Sequence, residues 1–176
     1  MVPLYILGLL LRFGPQHGYQ LKKLIETELA DFTRIKLPNI YYHLEKMEAA
    51  GFIASQTGQD GLRPEKRVYQ VTESGITKLR ALLRKELEIS YRPVFESDAL
   101  FYFSEHLDAN ELAAALEKHL AYLNGVLAHI KRHRDSVIPC LPEDIRRYAD
   151  LIFEHHILHY QAEAAWAEKA IGINQN

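Results

Sequence analysis

Residues 37–53 read LPNIYYHLEKMEAAGFI. Pro38 at the front and Gly51 at the end are typical of helix boundaries. Proline lacks an N–H that the first helical turn does not need, and glycine adopts the left-handed conformation that ends many helices. At 100° per residue, Ile40, Leu44 and Met47 fall on one face. The stretch therefore predicts a helix with one apolar face against a domain core.

The remaining faces of this helix are unusually polar and aromatic. Asn39, Tyr42 and Lys46 fall opposite the apolar face, with Tyr41 and His43 on the flanks. Asparagine and histidine offer hydrogen bonds, the tyrosine hydroxyl is a donor, and lysine is a cation. Partial packing against a neighbouring helix and contact with a ligand are both open for Tyr41.

The surrounding sequence predicts helices before this stretch and a β-hairpin after it. Leu4, Leu7, Leu10 and Leu11 recur at helical spacing, and a second helix is predicted from about residue 19 to 29. Alternating runs at 52–57 and 67–72 flank a turn rich in glycine and charge, as in a hairpin. The next helix is predicted to begin at a Thr72 cap and to carry one apolar stripe. The stripe consists of Ile76, Leu79, Leu83 and Leu87.

The rest of the chain reads as helical. Pro93 interrupts the pattern, so we place one domain at 1–90 and a second at 91–176. Asp108 and Glu111 fit a capping box, and a last helix is predicted from about residue 143 to 171. A heptad seam lies between them at Leu116, Leu120, Leu123, Leu127 and Ile130. Two such helices leave apolar surface for a partner chain, so we expect a homodimer through the C-terminal helices.

Three helices, a hairpin and a linking helix form the layout of a winged helix-turn-helix, in which the third helix enters the DNA major groove. The predicted fold is mainly α: an N-terminal winged helix-turn-helix with a β-hairpin wing, then an all-helical dimerisation domain. We predict double-stranded DNA, as a pseudo-palindromic operator, as the partner. The predicted DNA-binding residues are Asn39, Tyr41, Tyr42, His43, Lys46, Arg63, Lys66 and Arg67. For Tyr69 in the hairpin, core packing and DNA contact are both open.

Three stretches resemble one known family. ILGLLLRFGPQHGYQLKKLI (6–25), PNIYYHLEKMEAAGFI (38–53) and KRVYQVTESG (66–75) are similar to the PadR family of bacterial transcriptional regulators. The resemblance implies that the helix containing Tyr41 is the recognition helix and that this tyrosine contacts DNA. FYFSEHLDANEL (101–112) resembles the helical C-terminal domain of longer PadR-type and AphA-like members. It implies interlocking C-terminal helices, and a repressor that a small aromatic effector releases from DNA.

Charge and composition narrow the functional classes. Net charge is −2, but residues 1–80 hold 11 basic and 8 acidic residues, whereas residues 81–176 hold 10 and 15. The basic front half favours a polyanion site there. The single cysteine, Cys140, and the absence of a signal-peptide pattern favour the cytoplasm. No nucleophile–base pair or phosphate loop indicates an enzyme, and no cofactor is predicted; the alternative function is a protein-interaction module with a winged-helix fold.

Two further side-chain groups in the back half are open to more than one interpretation. His129/His133 and His155/His159 are spaced i, i+4, which is half of a zinc site, but surface or interface histidines are favoured and no metal site is predicted. Several aromatic side chains are candidates for an effector pocket between the domains, with dimer packing as the alternative. They are Phe101, Tyr102, Tyr122, Tyr160 and Trp166.

Overall fold

The computed structural model of the protein divides into two units, with the boundary between Arg92 and Pro93. The structure describes residues 1–29, 33, 35–58 and 66–174. The first unit is Met1–Arg92 and the second is Pro93–Asn176.

The first unit contains four helices and a small antiparallel sheet. Its elements are α1 (Val2–Phe13), β1 (Gln16–His17), α2 (Gly18–Glu28), α3 (Leu37–Ala49), β2 (Ile53–Gly58), β3 (Lys66–Val71) and α4 (Glu73–Lys85). The predicted order of three helices, hairpin and linking helix is confirmed. The sheet order is β1-β3-β2, so the hairpin has an additional short strand on its β3 side.

Strand β1 was not predicted from the sequence. Gln16 pairs with Tyr69 and His17 with Val68, so the turn after α1 is held to the hairpin. The strand then leads directly into α2 through a capping box: the His17 ring accepts from the Gln20 N–H, and the Gln20 side chain accepts from the His17 N–H. Two residues are too few to show an alternating pattern, which is why this strand has no sequence signature.

The core of the first unit lies between the helices and one face of the hairpin. Its fully buried side chains come from all three N-terminal helices and from β2. They are Ile6, Leu7, Leu10, Leu21, Ile25, Ile40, Leu44 and Ile53. Tyr69 is 3% exposed and belongs to the same cluster. Of the two interpretations left open for Tyr69, the structure therefore shows core packing.

Helix α4 begins as predicted but packs over a shorter length. The Thr72 hydroxyl accepts from the Gly75 N–H at 3.1 Å, which caps the helix. Leu79 is buried, whereas Leu83 and Leu87 are exposed by 49% and 77%. The prediction of one continuous stripe to Leu87 is wrong, because α4 ends at Lys85 and the core of this unit extends no further along it.

The second unit is a hairpin of two long helices, preceded in the sequence by a short helix. Its helices are α5 (Asp98–Tyr102), α6 (Ala109–Val137) and α7 (Glu143–Asn174). The Asp108 carboxylate caps α6 by accepting from the N–H groups of Asn110 and Glu111. The long helices pack against one another over much of their length. None of the helices that the structure describes is long and apolar enough to cross a membrane.

The predicted seam on α6 packs within its own chain. Leu116, Leu123 and Ile130 are buried, and Leu123 clusters with Ala164 and Ala167 of α7. Two polar pairs join the same helices: Arg134 Nε lies 2.6 Å from Asp150 Oδ1, and His119 Nε2 lies 3.5 Å from Glu163 Oε1. One apolar face of each long helix is thereby covered without a second chain.

Candidate nucleic-acid interface

Helix α3 divides into a buried face and an exposed face. Ile40 and Leu44 are fully buried and Met47 is 4% exposed, as the 3.6-residue period predicts. Asn39, Tyr42 and Lys46 are exposed. The core anchors one side of the helix, and the side chains with hydrogen-bonding and charged groups are presented on the other.

The exposed face has local order of its own. Lys46 Nζ lies 4.4 Å from the centroid of the Tyr42 ring, one helical turn away, as a cation–π pair. The Tyr42 and His43 rings meet edge to face at 5.1 Å. Lys46 is also in the last turn of α3, where a cation is favoured by the helix dipole. The ammonium group is therefore held beside the aromatic surface of the helix.

His43 is half-buried on the flank of α3. Burial lowers the pKa of its imidazole from the ordinary value, and the nearby Lys46 ammonium lowers that pKa further. The ring is therefore neutral at pH 7. A neutral imidazole has one donor and one acceptor nitrogen, which suits hydrogen bonding to a base edge better than charge neutralisation of a phosphate.

Tyr41 packs against the beginning of α2 and is also partly exposed. A Cβ atom on Gly18 would lie 2.5 Å from Tyr41 Cε1, so the ring occupies space that only glycine leaves free. The residue nevertheless remains 42% exposed. The packing alternative is thus present in the structure, and the DNA contact of Tyr41 stays a prediction.

Arg67 on β3 is held by α3. Its Nη2 lies 2.8 Å from Glu48 Oε2 and 3.1 Å from Ser55 Oγ, and the Ser55 hydroxyl donates to Glu48 Oε1. This group, the Glu48–Ser55–Arg67 cluster, joins the last turns of α3 to both strands of the hairpin. Arg67 keeps about half of its side chain exposed beside the helix.

The other two predicted hairpin residues are Arg63 and Lys66. Arg63 follows β2 and precedes β3 in the sequence and lies outside the described residues. Lys66 begins β3, where it pairs with Gly58, and its side chain is likewise outside what the structure describes. Their roles stay predictions.

Only part of the predicted aromatic group comes together in the second unit. The rings of Phe101 and Trp166 meet edge to face at 5.2 Å beside a cavity of about 310 Å³. Tyr160 packs with Leu123 in the α6–α7 core, whereas Tyr102 and Tyr122 are exposed by 79% and 57%. The cavity is lined by Phe101, Ser104, Leu112, Trp166, Lys169, Ala170 and Ile173.

Sequence reasoning missed two residues that belong to these sites. Glu48 could not be selected from the sequence, because the role of an acidic residue on a candidate DNA-binding helix becomes apparent only when its partner Arg67 is located. Lys169, an exposed cation at the cavity, stands three residues after Trp166, and this helical spacing is the signal by which it could have been found. Within the described ranges, no three His, Cys, Asp or Glu side chains converge as a metal site.

Comparison with known proteins agrees with this architecture. Residues 6–81 match the model of the transcriptional regulator PadR-like family, and residues 101–173 match the virulence activator alpha C-terminal model. Over 92 residues the chain is 36% identical to the negative transcriptional regulator PadR of Bacillus subtilis (strain 168). This match spans 52% of the chain and 47% of the relative, about half of its length.

Solved structures extend the likeness over the whole chain. Bacillus subtilis PadR in complex with operator DNA superposes with a TM-score of 0.82 at 25% identity, covering 98% of each chain. The same protein in complex with p-coumaric acid has a TM-score of 0.76 at 24% identity and full coverage, which shows the fold. The two family models and these structures confirm both the predicted fold and the resemblance. The chain is thus similar to the PadR-like family of transcriptional regulators over residues 6–81 and to the virulence activator alpha C-terminal family over residues 101–173.

Proposed function

We propose that the protein is a homodimeric, sequence-specific DNA-binding repressor of the cytoplasm, not an enzyme. The observation that carries this proposal is the exposed face of α3, with Asn39, Tyr42 and Lys46, together with Arg67 of the hairpin, which Glu48 holds against the same helix. The Bacillus subtilis PadR that resembles it is a negative regulator by name and was solved with operator DNA. Both facts support a helix that enters the major groove and a hairpin that reaches the adjacent backbone.

Each residue has a role that follows from its chemistry. Asn39, in the first turn of α3, is suited to bidentate pairing with adenine, and neutral His43 to a single hydrogen bond at a base edge.

The cations are suited to phosphate contacts. Phosphates would be neutralised by Lys46 of α3 and by the hairpin residues Arg63, Lys66 and Arg67. The tyrosine hydroxyls of Tyr41 and Tyr42 would donate to phosphate oxygens. Phosphate contacts orient the protein on DNA, and base contacts select the sequence.

Dimerisation would use the outward face of α7. Four apolar or aromatic side chains on this face are exposed by between 44% and 61%, although the opposite face of the helix already packs on α6. They are Tyr148, Leu151, Ile152 and Leu158. So much apolar area on one helix favours a second copy of the chain as its cover. A two-fold dimer would place its two recognition helices in successive major grooves about 34 Å apart, so the operator would be pseudo-palindromic.

Lys46→Ala tests the DNA-binding face. Because a phosphate contact is independent of sequence, binding to operator and to unrelated DNA should weaken together. The slope of log affinity against log salt should become shallower by about 0.9 for each lost contact. The measurement is a gel shift at several salt concentrations, with DNA from upstream of the protein's own gene and an unrelated fragment of equal length.

Lys118→Ala is the matched control, since Lys118 is an exposed lysine on α6. It should leave both affinity and salt slope unchanged. A wild-type protein that shifts neither DNA would instead favour the interaction-module alternative. An unchanged slope in Lys46→Ala would remove Lys46 from the interface.

We also propose that the cavity beside Phe101 and Trp166 binds a small aromatic effector that lowers operator affinity. The two rings offer an apolar, edge-to-face surface, and Lys169 supplies a cation for a carboxylate. A cavity of about 310 Å³ is at the small end of ligand sites, which fits a single-ring compound. The complex of Bacillus subtilis PadR with p-coumaric acid supports phenolic acids as the class to test.

Trp166 is the only tryptophan, so its fluorescence reports on this cavity alone. Titration with p-coumaric acid should quench the emission and weaken the operator gel shift over the same concentration range. Phe101→Ala should reduce both responses, whereas Tyr122→Ala, at an exposed position outside the cavity lining, should reduce neither. Absence of quenching together with unchanged operator affinity would exclude phenolic acids as effectors at this site.

A further inference from the structure

Two histidines lie in the middle of the outward face of α7. His155 and His159 are exposed and one helical turn apart, on the same face as Leu151 and Leu158. Histidine i, i+4 pairs place both imidazoles on one side of a helix, which is the spacing by which helices chelate metal ions. Neither the DNA-binding face nor the aromatic cavity uses these two residues.

The ring nitrogens of this pair already converge. His155 Nε2 and His159 Nε2 are 3.1 Å apart, and the ring planes stand at 87° to each other. A Zn–N bond is about 2.1 Å long, so an ion bound to both nitrogens at this separation would have an N–Zn–N angle of about 95°. Opening the pair by about 0.3 Å would give the tetrahedral angle. The separation of the two nitrogens is therefore within about 0.3 Å of the separation in a tetrahedral chelate.

The other i, i+4 pair is arranged differently. The rings of His129 and His133 on α6 are stacked at 28° with centroids 6.2 Å apart, and His133 also packs edge to face on Phe153. For His155 and His159 the centroids are 4.7 Å apart. The two pairs have the same spacing in sequence but differ in geometry. On α7 the two ring nitrogens approach each other, whereas on α6 the two rings stack.

We propose that His155 and His159 bind a divalent transition-metal ion of the Zn²⁺, Ni²⁺ or Cu²⁺ class. Imidazole nitrogen suits these ions, with Cu²⁺ bound most tightly of the three. Each ring coordinates through Nε2 and carries its proton on Nδ1, so the hydrogen bond between the rings is exchanged for two metal–nitrogen bonds. Both ligands come from one chain, and neither is among the residues proposed to contact DNA. The pair lies on the face of α7 that the proposed homodimer would cover, so the remaining coordination positions are left to water or to side chains of the second copy.

The test is calorimetric titration of the full-length protein with ZnCl₂ and, separately, CuCl₂. His155→Ala and His159→Ala should each weaken binding by more than about tenfold, since even loss of a supporting hydrogen bond to a ligand costs that much. His106→Ala removes an exposed histidine that is not in an i, i+4 pair, and should leave binding unchanged. Both altered ligands lie outside the core of their own chain, so thermal unfolding and the oligomeric state without metal should match those of the wild type.

A second readout identifies the ligands directly. The electron paramagnetic resonance spectrum of the Cu²⁺ complex should show coupling to two imidazole nitrogens in the wild type and to fewer in His159→Ala. Wild-type protein that binds neither ion would overturn the proposal. Affinity retained in both single variants, or reduced equally by His106→Ala, would also overturn it.

Discussion

Replacing Gly75 by alanine is expected to lower the free energy of unfolding by about 3 kcal/mol, at the upper end of the usual cost of overpacking. The added Cβ would lie 2.0 Å from the carbonyl oxygen of Phe52 and 2.8 Å from Val71 Cγ2. The first of these neighbours is backbone, so it has no rotamer by which to move away. The helix α4 would have to separate from the end of α3 and the beginning of β2.

Neighbouring hydrogen bonds prevent an easy adjustment. The Phe52 carbonyl accepts from the Thr72 N–H at 3.1 Å, and the Thr72 hydroxyl donates to the Gly51 carbonyl at 2.7 Å. The same hydroxyl accepts from the Gly75 N–H. Moving Gly75 to relieve the clash therefore strains the cap of α4 and the link to α3 together.

Gly8→Ala is the matched control within the first unit. Gly8 is inside α1, and apart from its chain neighbours and the backbone of its own helix no atom lies within 4 Å of the position that a Cβ would take. Alanine there should raise the free energy of unfolding by about 0.5–1 kcal/mol, because glycine is costly in a helix interior. Urea unfolding followed by circular dichroism measures both changes. Equal stability of the two variants would contradict the close contact at Gly75.

Asn39→Ala should abolish much of the preference for operator over unrelated DNA. A good bidentate base contact contributes about 1–3 kcal/mol of discrimination, which is about 5- to 150-fold for each half-site. Asn39 is exposed at the beginning of α3, and its own N–H is bonded to the Lys36 carbonyl. Alanine is favoured in helices, so the helix itself should persist.

The pattern of losses separates a base contact from a phosphate contact. Operator affinity should fall in Asn39→Ala while binding to unrelated DNA stays unchanged, because Lys46 and Arg67 remain. Lys46→Ala should instead weaken both. Competition gel shifts with labelled operator and unlabelled unrelated DNA measure the ratio. A loss of equal size on both DNAs would show that Asn39 does not read bases.

Local periodicity predicted much of the fold, while contacts distant in sequence could not be predicted. The core face of α3 follows from the helical period, and the Thr72 cap and positive φ of Gly51 follow from side-chain chemistry. The Glu48–Arg67 pair joins residues 19 apart, and its formation depends on how the hairpin folds back onto the helix. Neither segment contains a sequence pattern that predicts this contact.

Apolar residues outside the core of the first unit show the same limit. Leu83 and Leu87 continue a helical stripe, yet Leu83 is exposed by 49% and α4 ends at Lys85, before Leu87. Phe101 and Trp166 meet because α5 and α7 fold together, whereas Tyr102, the immediate neighbour of Phe101, faces solvent. Composition identifies aromatic residues as a group, but only tertiary structure separates those that line a cavity from those that do not.

The Glu48–Ser55–Arg67 cluster has a consequence for how DNA would be discriminated. It ties the end of α3 to both strands of the hairpin, so the helix and the wing are held at a fixed separation. Two contact points at a fixed separation fit only DNA whose groove has a matching width. Because groove width and the ease of changing it vary with sequence, this spacing would select DNA by shape, in the proposed complex, at positions where no side chain touches a base.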